Sequence, residues 1–475
     1  MMRACLRRVS AVAATFVLAG CNTFSPDGGM TPVAGLAGGT LRKDIVAIRD
    51  ENAAAATDAA VRRLLSRPLT AGAAVQIALL NNRGLQAAYN QLGIAEAAMV
   101  GASLPPNPGF VLERLSGPVE IEIEKRIVAN ILALATLPAR AEIAADRFRQ
   151  AQLVAAEQTL RIAAQTRRNY YRAVAATEAA DFLAQAQSAA QTAAQMARRL
   201  GETGALNKLD QAREQVFYAD LTTQVAAARQ RAASEREQLT RLMGLWGKDI
   251  DYRLPRSLPA LPAKPRSLAY IETDAVRRRI DLQIARIEVE TLARTYGLTQ
   301  ATRFVNLLFV EGRERTTKQK ATGEYIRDRG GSLEFQVPIF DFGEVRVREA
   351  ENVYMRAVNE LIDTAVVVRS QARDAYRSYR SSYDVAMHYQ REVLPLRKII
   401  SDETLLRYNA MQIDVFSLLA EARQRIAATV GAIDARRDFW VAATSLTTAV
   451  VGGGSTLVDP SSSSIASAEP AASEH

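Results

Sequence analysis

The chain has 475 residues, a formal charge of +9, two cysteines and only two histidines, His388 and His475. That scarcity argues against a metal centre built from ordinary Cys or His ligands and leaves a weak case for an enzyme. Cations interleaved with acids, as in Arg229, Arg231, Glu235, Arg236 and Glu237, mark a solvated helix face. No basic block with interleaved aromatics points to nucleic acid. Abundant alanine with 6% aromatic residues favours long helices.

Arg3, Arg7 and Arg8 precede an apolar run from Val9 to Gly20. The run is too short to span a bilayer and fits the core of a signal peptide. Leu18-Ala19-Gly20-Cys21 resembles the bacterial lipobox. Residues 1–20 are therefore expected to be removed. Cys21 is expected to carry a covalent N-acyl diglyceride lipid, with no other cofactor and no bound metal. Asn22 stands where Asp commonly retains a lipoprotein at the inner membrane, so it resembles an outer-membrane address. Cys5 leaves with the signal, which removes any intrachain disulfide. The mature charge falls to about +6.

Residues 21–67 are expected to be a lipidated tether, because 22–40 are rich in Gly, Pro and Thr. The pairs Gly28-Gly29 and Gly38-Gly39 follow no predicted strand and make a poor phosphate loop. A first repeat covers 68–254. Thr70 is a helix N-cap, and the helix runs to Gly101, where Pro105, Pro106 and Pro108 stop it. Phe110 to Leu115 and Val119 to Ile127 read as two strands about the turn Ser116-Gly117-Pro118. In the second, Glu120, Glu122 and Glu124 alternate with Ile121 and Ile123, giving one polar and one apolar face. From Ala139 to Leu200 there is no proline or glycine, and roughly 60 helical residues span on the order of 90 Å. Gly201 and Gly204 break this helix, and a second returns from Asn207 to Leu245.

Pro255, Pro259, Pro262 and Pro265 make residues 255–266 an extended linker. The second repeat, 267–450, follows the same order. A helix covers Ile271 to Tyr296, a strand Thr302 to Glu311, a polar loop Arg313 to Gly331, and a fourth strand Ser332 to Val337. A long helix then runs from Glu344 to Tyr408 with Pro395 near its far end. Asn409 to Ile413 breaks it, and Asp414 to Val450 returns. Residues 451–475, rich in Gly, Ser, Pro and Ala, are expected to be a disordered tail. The repeat is visible in the letters: Ala78-Leu79-Leu80 and Leu85-Gln86-Ala87-Ala88 correspond, at the same spacing, to Ala275-Val276-Arg277 and Leu282-Gln283-Ile284-Ala285. The fold class is mainly α with a small β part, namely duplicated long helical hairpins with two strands per repeat. Pairs such as Ala163-Ala164 and Ala193-Ala194 let helix backbones approach closely, and helices this long need partners.

This order of elements resembles the TolC-like outer membrane efflux family over residues 68 to 450. Three passages carry the resemblance. The first joins Leu69-Thr70, Asn81-Asn82 and Leu104-Pro105-Pro106-Asn107-Pro108. The second is Val337-Pro338-Ile339-Phe340-Asp341-Phe342-Gly343. The third is Arg407 to Arg423, with Gly204 to Arg213 in the equivalent place of the first repeat. The resemblance implies a homotrimer whose chains share a twelve-stranded outer-membrane β-barrel joined to a periplasmic α-helical barrel. It also implies partners: a periplasmic membrane fusion (adaptor) protein, an inner-membrane pump and outer-membrane lipid. The function implied is the exit duct of a tripartite export system. Four strands alone leave open edges, so closure requires other chains.

Within that reading Glu120, Glu122 and Glu124 are lumen-facing, Asp341 forms a turn, and Phe340 and Phe342 sit at the membrane interface. The helical tips are the expected docking and opening site: Arg199, Leu200, Gly201, Gly204, Ala205, Leu206, Tyr408, Ile413, Val415 and Phe416. Relatives often carry carboxylates ringing the closed pore; Lys208, Ser417 and Ala420 lack them here, leaving Asp210, Asp414 and Glu421 as the candidate pore acids. The alternative is a periplasmic coiled-coil scaffold or adaptor lipoprotein without a pore.

Overall fold

The computed structural model describes residues 24–204 and 206–453. The signal segment 1–20, Cys21, Ala205 and most of the expected tail lie outside the described residues. The chain divides into two units. One holds the segment up to Ala47, Gly84–Ala156 and Leu282–Val367; the other holds Ile48–Arg83, Glu157–Asp281 and the segment from Val368 onward.

The second unit contains α1 (Glu51–Leu65) and α2 (Ala71–Asn81), capped by the side chains of Asp50 and Thr70. In α2 every residue from Ala74 to Leu80 is buried, so this helix is core on all sides. In the first unit, α3 (Arg83–Ser103) leads to the strands β1 (Gly109–Ser116) and β2 (Glu120–Asn130). A short α4 (Ile131–Ala135) and the 66-residue α5 (Leu137–Glu202) follow, then α6 (Lys208–Met243), which ends at Gly244 with φ of 67°. The second repeat supplies α7 (Ile271–Arg278), α8 (Ile280–Ala301), β3 (Leu307–Gln319), β4 (Tyr325–Gln336), α9 (Glu344–His388), α10 (Leu394–Asn409) and α11 (Val415–Val451).

The repeat is sharper in three dimensions than in the letters. Each initial helix, read from sequence as continuous, is broken, and at equivalent places: Asn82 (φ −68°, ψ 113°) and Arg279 (φ −64°, ψ 127°). Side chains explain both breaks. The Asn82 amide donates to the Leu242 carbonyl at 2.9 Å, and its neighbour Asn81 donates to Gly244 at 2.7 Å. The Arg279 side chain is 2% exposed, donates to both Asp281 carboxylate oxygens and reaches Gln371 at 2.6 Å. A buried guanidinium with a carboxylate across it is tolerable only because its donors are satisfied.

Three further expectations are corrected. The segment read as a tether is folded from residue 24. Val33 and Ala37 are fully buried, and the Ser25 backbone N–H donates to Glu96 at 2.7 Å. Gly29, at φ 75°, fits against the Phe148 ring where a Cβ would lie 2.5 Å from it. The supposed polar loop Arg313–Gly331 is mostly strand, because its charged residues pair across β3 and β4 around a turn at 320–324. The helix before the second tip is interrupted at Tyr389–Val393 by a π-turn that precedes Pro395, which lacks the N–H the i→i−4 ladder needs.

The Pro-rich connection is pinned rather than free. The Tyr383 hydroxyl donates to the carbonyls of Pro262 and Ala263, the Trp440 indole N–H donates to that of Pro259, and the Tyr379 hydroxyl accepts from the Arg266 backbone N–H. These aromatics, with Tyr171 and Phe439, pack at centroid separations of 5.1–5.7 Å. Tyr170 is buried beside them, which pushes its phenol up to about 12, and its hydroxyl donates to the Leu69 carbonyl at 3.0 Å.

Candidate functional site

In the first unit β1 to β4 form one antiparallel sheet in sequence order, leaving β1 and β4 as its edges. Strand register assigns each residue to a face. One face carries Glu113, Glu120, Glu122, Glu124, Arg126, Arg313 and Arg315. Its charges are joined in a ladder: Arg126 lies between Glu113 and Glu124, and Arg315 reaches Glu122 at 2.6 Å and Glu124 at 3.1 Å. Of the alternating glutamates, Glu122 and Glu124 are thus charge-paired across strands. The other face carries Phe110, Leu112, Ile123, Ile127, Val310, Leu333 and Phe335, most of them exposed in the single chain.

At the foot of this sheet the Pro338–Gly343 turn is built as read. Gly343 donates to the Asp341 carboxylate at 3.1 Å, and Phe342 to the Pro338 carbonyl at 2.8 Å. Gly343 has φ of 73°, and any Cβ there overlaps the Arg303 carbonyl, so glycine is required. Phe340 is 97% exposed.

In the second unit the first tip joins α5 to α6. Arg199, Leu200 and Gly201 form the last turn of α5, and the Leu200 carbonyl accepts from Leu206 at 3.1 Å. Gly204 has φ of 74°. Asn207 caps α6 by accepting from the Asp210 N–H at 2.9 Å. Asp210 is held locally by the Asn207 amide and by Arg213 at 3.1 Å.

The second tip joins α10 to α11. Asp414 caps α11 through Ser417, whose backbone N–H and hydroxyl both donate to it. Those bonds, with the nearby Arg213 charge, hold the Asp414 carboxyl below its ordinary range. Tyr408 and Ile413 are half-buried, Val415 is buried and Phe416 is exposed. The Arg213 guanidinium lies 5.1 Å above the Phe416 ring, so one side chain of the first tip touches the second. Glu421 is taken up by Arg397 at 3.2 Å. Two of the three candidate pore acids, Asp210 and Asp414, thus share the Arg213 charge, while Glu421 pairs with Arg397.

Sequence reasoning missed the seam between the hairpins. Leu183, Ala190, Phe217, Leu221, Val225, Val415 and Leu419 form one core cluster there. Glu214 shares the helical face of Phe217, Leu221 and Val225, is 8% exposed, and has a carboxylate oxygen without a hydrogen-bond partner. Burial pushes its carboxyl up from the ordinary value. The heptad-like spacing of 214, 217, 221 and 225 was the available signal. Arg423 bridges the same seam, pairing with Asp220 at 3.2 Å and lying 5.4 Å from the Phe217 ring.

Among the described residues no group of His, Cys, Asp and Glu could hold a metal ion, and no helix is long and apolar enough to cross a membrane. No family model and no curated protein matches the sequence. Solved structures do match. CusC, solved in a study of its folding and transmembrane channel formation, aligns with a TM-score of 0.66 at 16% identity, over 83% of this chain and 92% of that one. The open-state MtrE outer membrane channel of Neisseria gonorrhoeae gives 0.63 at 15% identity, over 80% and 88%. The VceC outer membrane protein of Vibrio cholerae gives 0.63 at 13%, over 84% and 97%. The chain has the fold of these outer-membrane channels, the fold implied by its resemblance to the TolC-like family.

Proposed function

We propose that the chain is the outer-membrane exit duct of a tripartite efflux or export system and not an enzyme. The observation that carries this reading is the four-stranded sheet, with a charge-paired face, an apolar face and two unpaired edges. Unpaired edges in a bilayer are too costly to persist, so the sheet closes with copies of itself. A homotrimer makes a twelve-stranded barrel with the charge-paired face inward and the apolar face toward lipid. The fold shared with outer-membrane channels supports this arrangement and the outer-membrane location. Cys21 supplies the lipid anchor.

The helical tips are where an adaptor protein docks, backed by an inner-membrane pump. Exposed Leu200, Leu209, Met411 and Phe416 offer the apolar contacts. Passage is passive, and opening consists of parting the Arg213–Phe416 and Arg423–Asp220 contacts between hairpins. Purified full-length protein should form heat-resistant trimers and conduct ions in planar bilayers, with conductance raised by Arg423→Ala. A protein that fractionates with the inner membrane and never conducts is instead the scaffold. Cys21→Ser should abolish palmitate labelling; labelling that persists overturns the lipid anchor.

A further inference from the structure

The apolar face of the sheet is not apolar along its whole height. Strand register sorts it into rows. Nearest the helices are Leu308 with Phe335, Ala129 with Val310 and Leu333, and Phe110 with Ile127. Beyond them the rows change character. Leu112 begins a row with Lys125, Glu314 and Arg329; the next holds Arg114, Ile123, Thr316 and Arg327; the last holds Ser116, Ile121, Lys318 and Tyr325. These three outer rows contain five cations and one carboxylate, Glu314, which Arg329 meets at 2.8 Å and Arg327 at 4.0 Å.

The opposite face at the same height is acidic on balance, with Glu113, Glu120, Glu122, Glu124 and Asp328 against one cation, Arg315. The cation excess therefore belongs to one face and is not a general property of the hairpins. Lys318 lies 5.3 Å above the Tyr325 ring, an aromatic and cation pair of the kind favoured at a membrane boundary. From Leu308 to Glu314 the strand climbs about 20 Å. Phe304, Phe340 and Phe342, all exposed, extend the apolar surface at the helical end. Hydrocarbon contact therefore ends at the row of Lys125, Glu314 and Arg329.

We propose that Arg114, Lys125, Arg327 and Arg329 form a collar that binds phosphate groups on the headgroups of the lipid leaflet around the distal half of the sheet. The partner is a lipid because the cations sit directly above an apolar band on the same face. That geometry suits a molecule carrying phosphate next to acyl chains. Each cation adds to the attraction of an anionic lipid surface, so the four act together. The inference rests on the barrel reading.

The test uses the full-length protein in phosphatidylcholine nanodiscs, with bis-phosphorylated lipid A, monophosphoryl lipid A and phosphatidylcholine as exchangeable fluorescent lipids. The wild-type protein should retain the bis-phosphorylated lipid most strongly, and less so at high salt. The combined variant Arg114→Gln, Lys125→Gln, Arg327→Gln and Arg329→Gln should lose that preference by about a hundredfold or more. Arg313→Gln, on the opposite face, should leave the preference intact. Trimers that insert and conduct yet bind all three lipids equally overturn the collar and leave the barrel standing. A protein that inserts into no bilayer overturns both. If the combined variant no longer inserts, the single change Arg114→Gln, in a side chain at the sheet's edge strand, must still lower retention; an unchanged value overturns the collar.

Discussion

The two helical tips solve one problem with different chemistry. The first turns through Gly204 at φ 74° and is clamped between continuous helices by Gln187–Thr222 and Arg198–Gln215 contacts. The second has no glycine: Met411 takes the left-handed conformation at φ 57° with its side chain 94% exposed. The helix leading into it is interrupted by the π-turn Tyr389–Val393, which ends one residue before Leu394-Pro395. A π-turn and a strained non-glycine turn both lower the cost of local rearrangement. The features that ease rearrangement thus lie in the second hairpin and not in the first.

The largest expected effect removes what holds the two hairpins together. Leu221→Ala leaves a cavity in the seam and should cost about 2–5 kcal/mol in denaturant unfolding, with both tips loosened in hydrogen exchange. If only α6 loosens, the seam does not couple the hairpins. Next, the turns should respond in opposite directions. Met411→Gly should stabilise by about 1 kcal/mol, whereas Gly204→Ala should destabilise by a similar amount. Equal responses would mean that the second turn carries no strain. Asn207→Ala and Asp414→Ala each remove an N-cap and should each cost about 1 kcal/mol.

The smallest effects are in pH, and they separate the tips again. Glu214 has a raised carboxyl pKa in the folded seam, so its contribution is fully present below the unfolded value and is lost as pH rises through the folded one. Glu214→Gln should raise the melting temperature near neutral pH and leave it unchanged under acid conditions. Asp414 has a depressed pKa, so its contribution is present above the unfolded value and is lost as pH falls through the folded one. Asp414→Asn should matter least in acid. A Glu214→Gln variant with the same shift at both pH values would show that the carboxylate is not buried in solution.

Much of this architecture was legible because it is local. The helix break at Gly204, the cap at Thr70 and the alternation around Glu122 are all properties of short segments, although Gly201 itself stays helical. What failed was long-range. Arg313–Gly331 read as a loop because its polarity hides a strand whose charges pair only with other strands. Asn82 and Arg279 gave no sign of breaking a helix, since the distant groups they bind lie at Leu242 and Gln371. The expected tether packs by virtue of Gly29 meeting Phe148, a contact over a hundred positions apart in the chain.

The candidate site divides the same way. Letters alone located both turns to within a few residues, because a glycine acts through its own backbone and an asparagine or aspartate through a side-chain bond to the next turn of chain. They also determined the duplicated plan of hairpins and strand pairs, which follows from periodicity and spacing. Only the tertiary structure decided that the tip acids are taken up by Arg213 and Arg397, that Glu214 is enclosed, and that the hydrophobic face of the sheet ends in a row of cations. Burial, charge pairing and strand register depend on which distant segment lies opposite, and no local pattern specifies that partner.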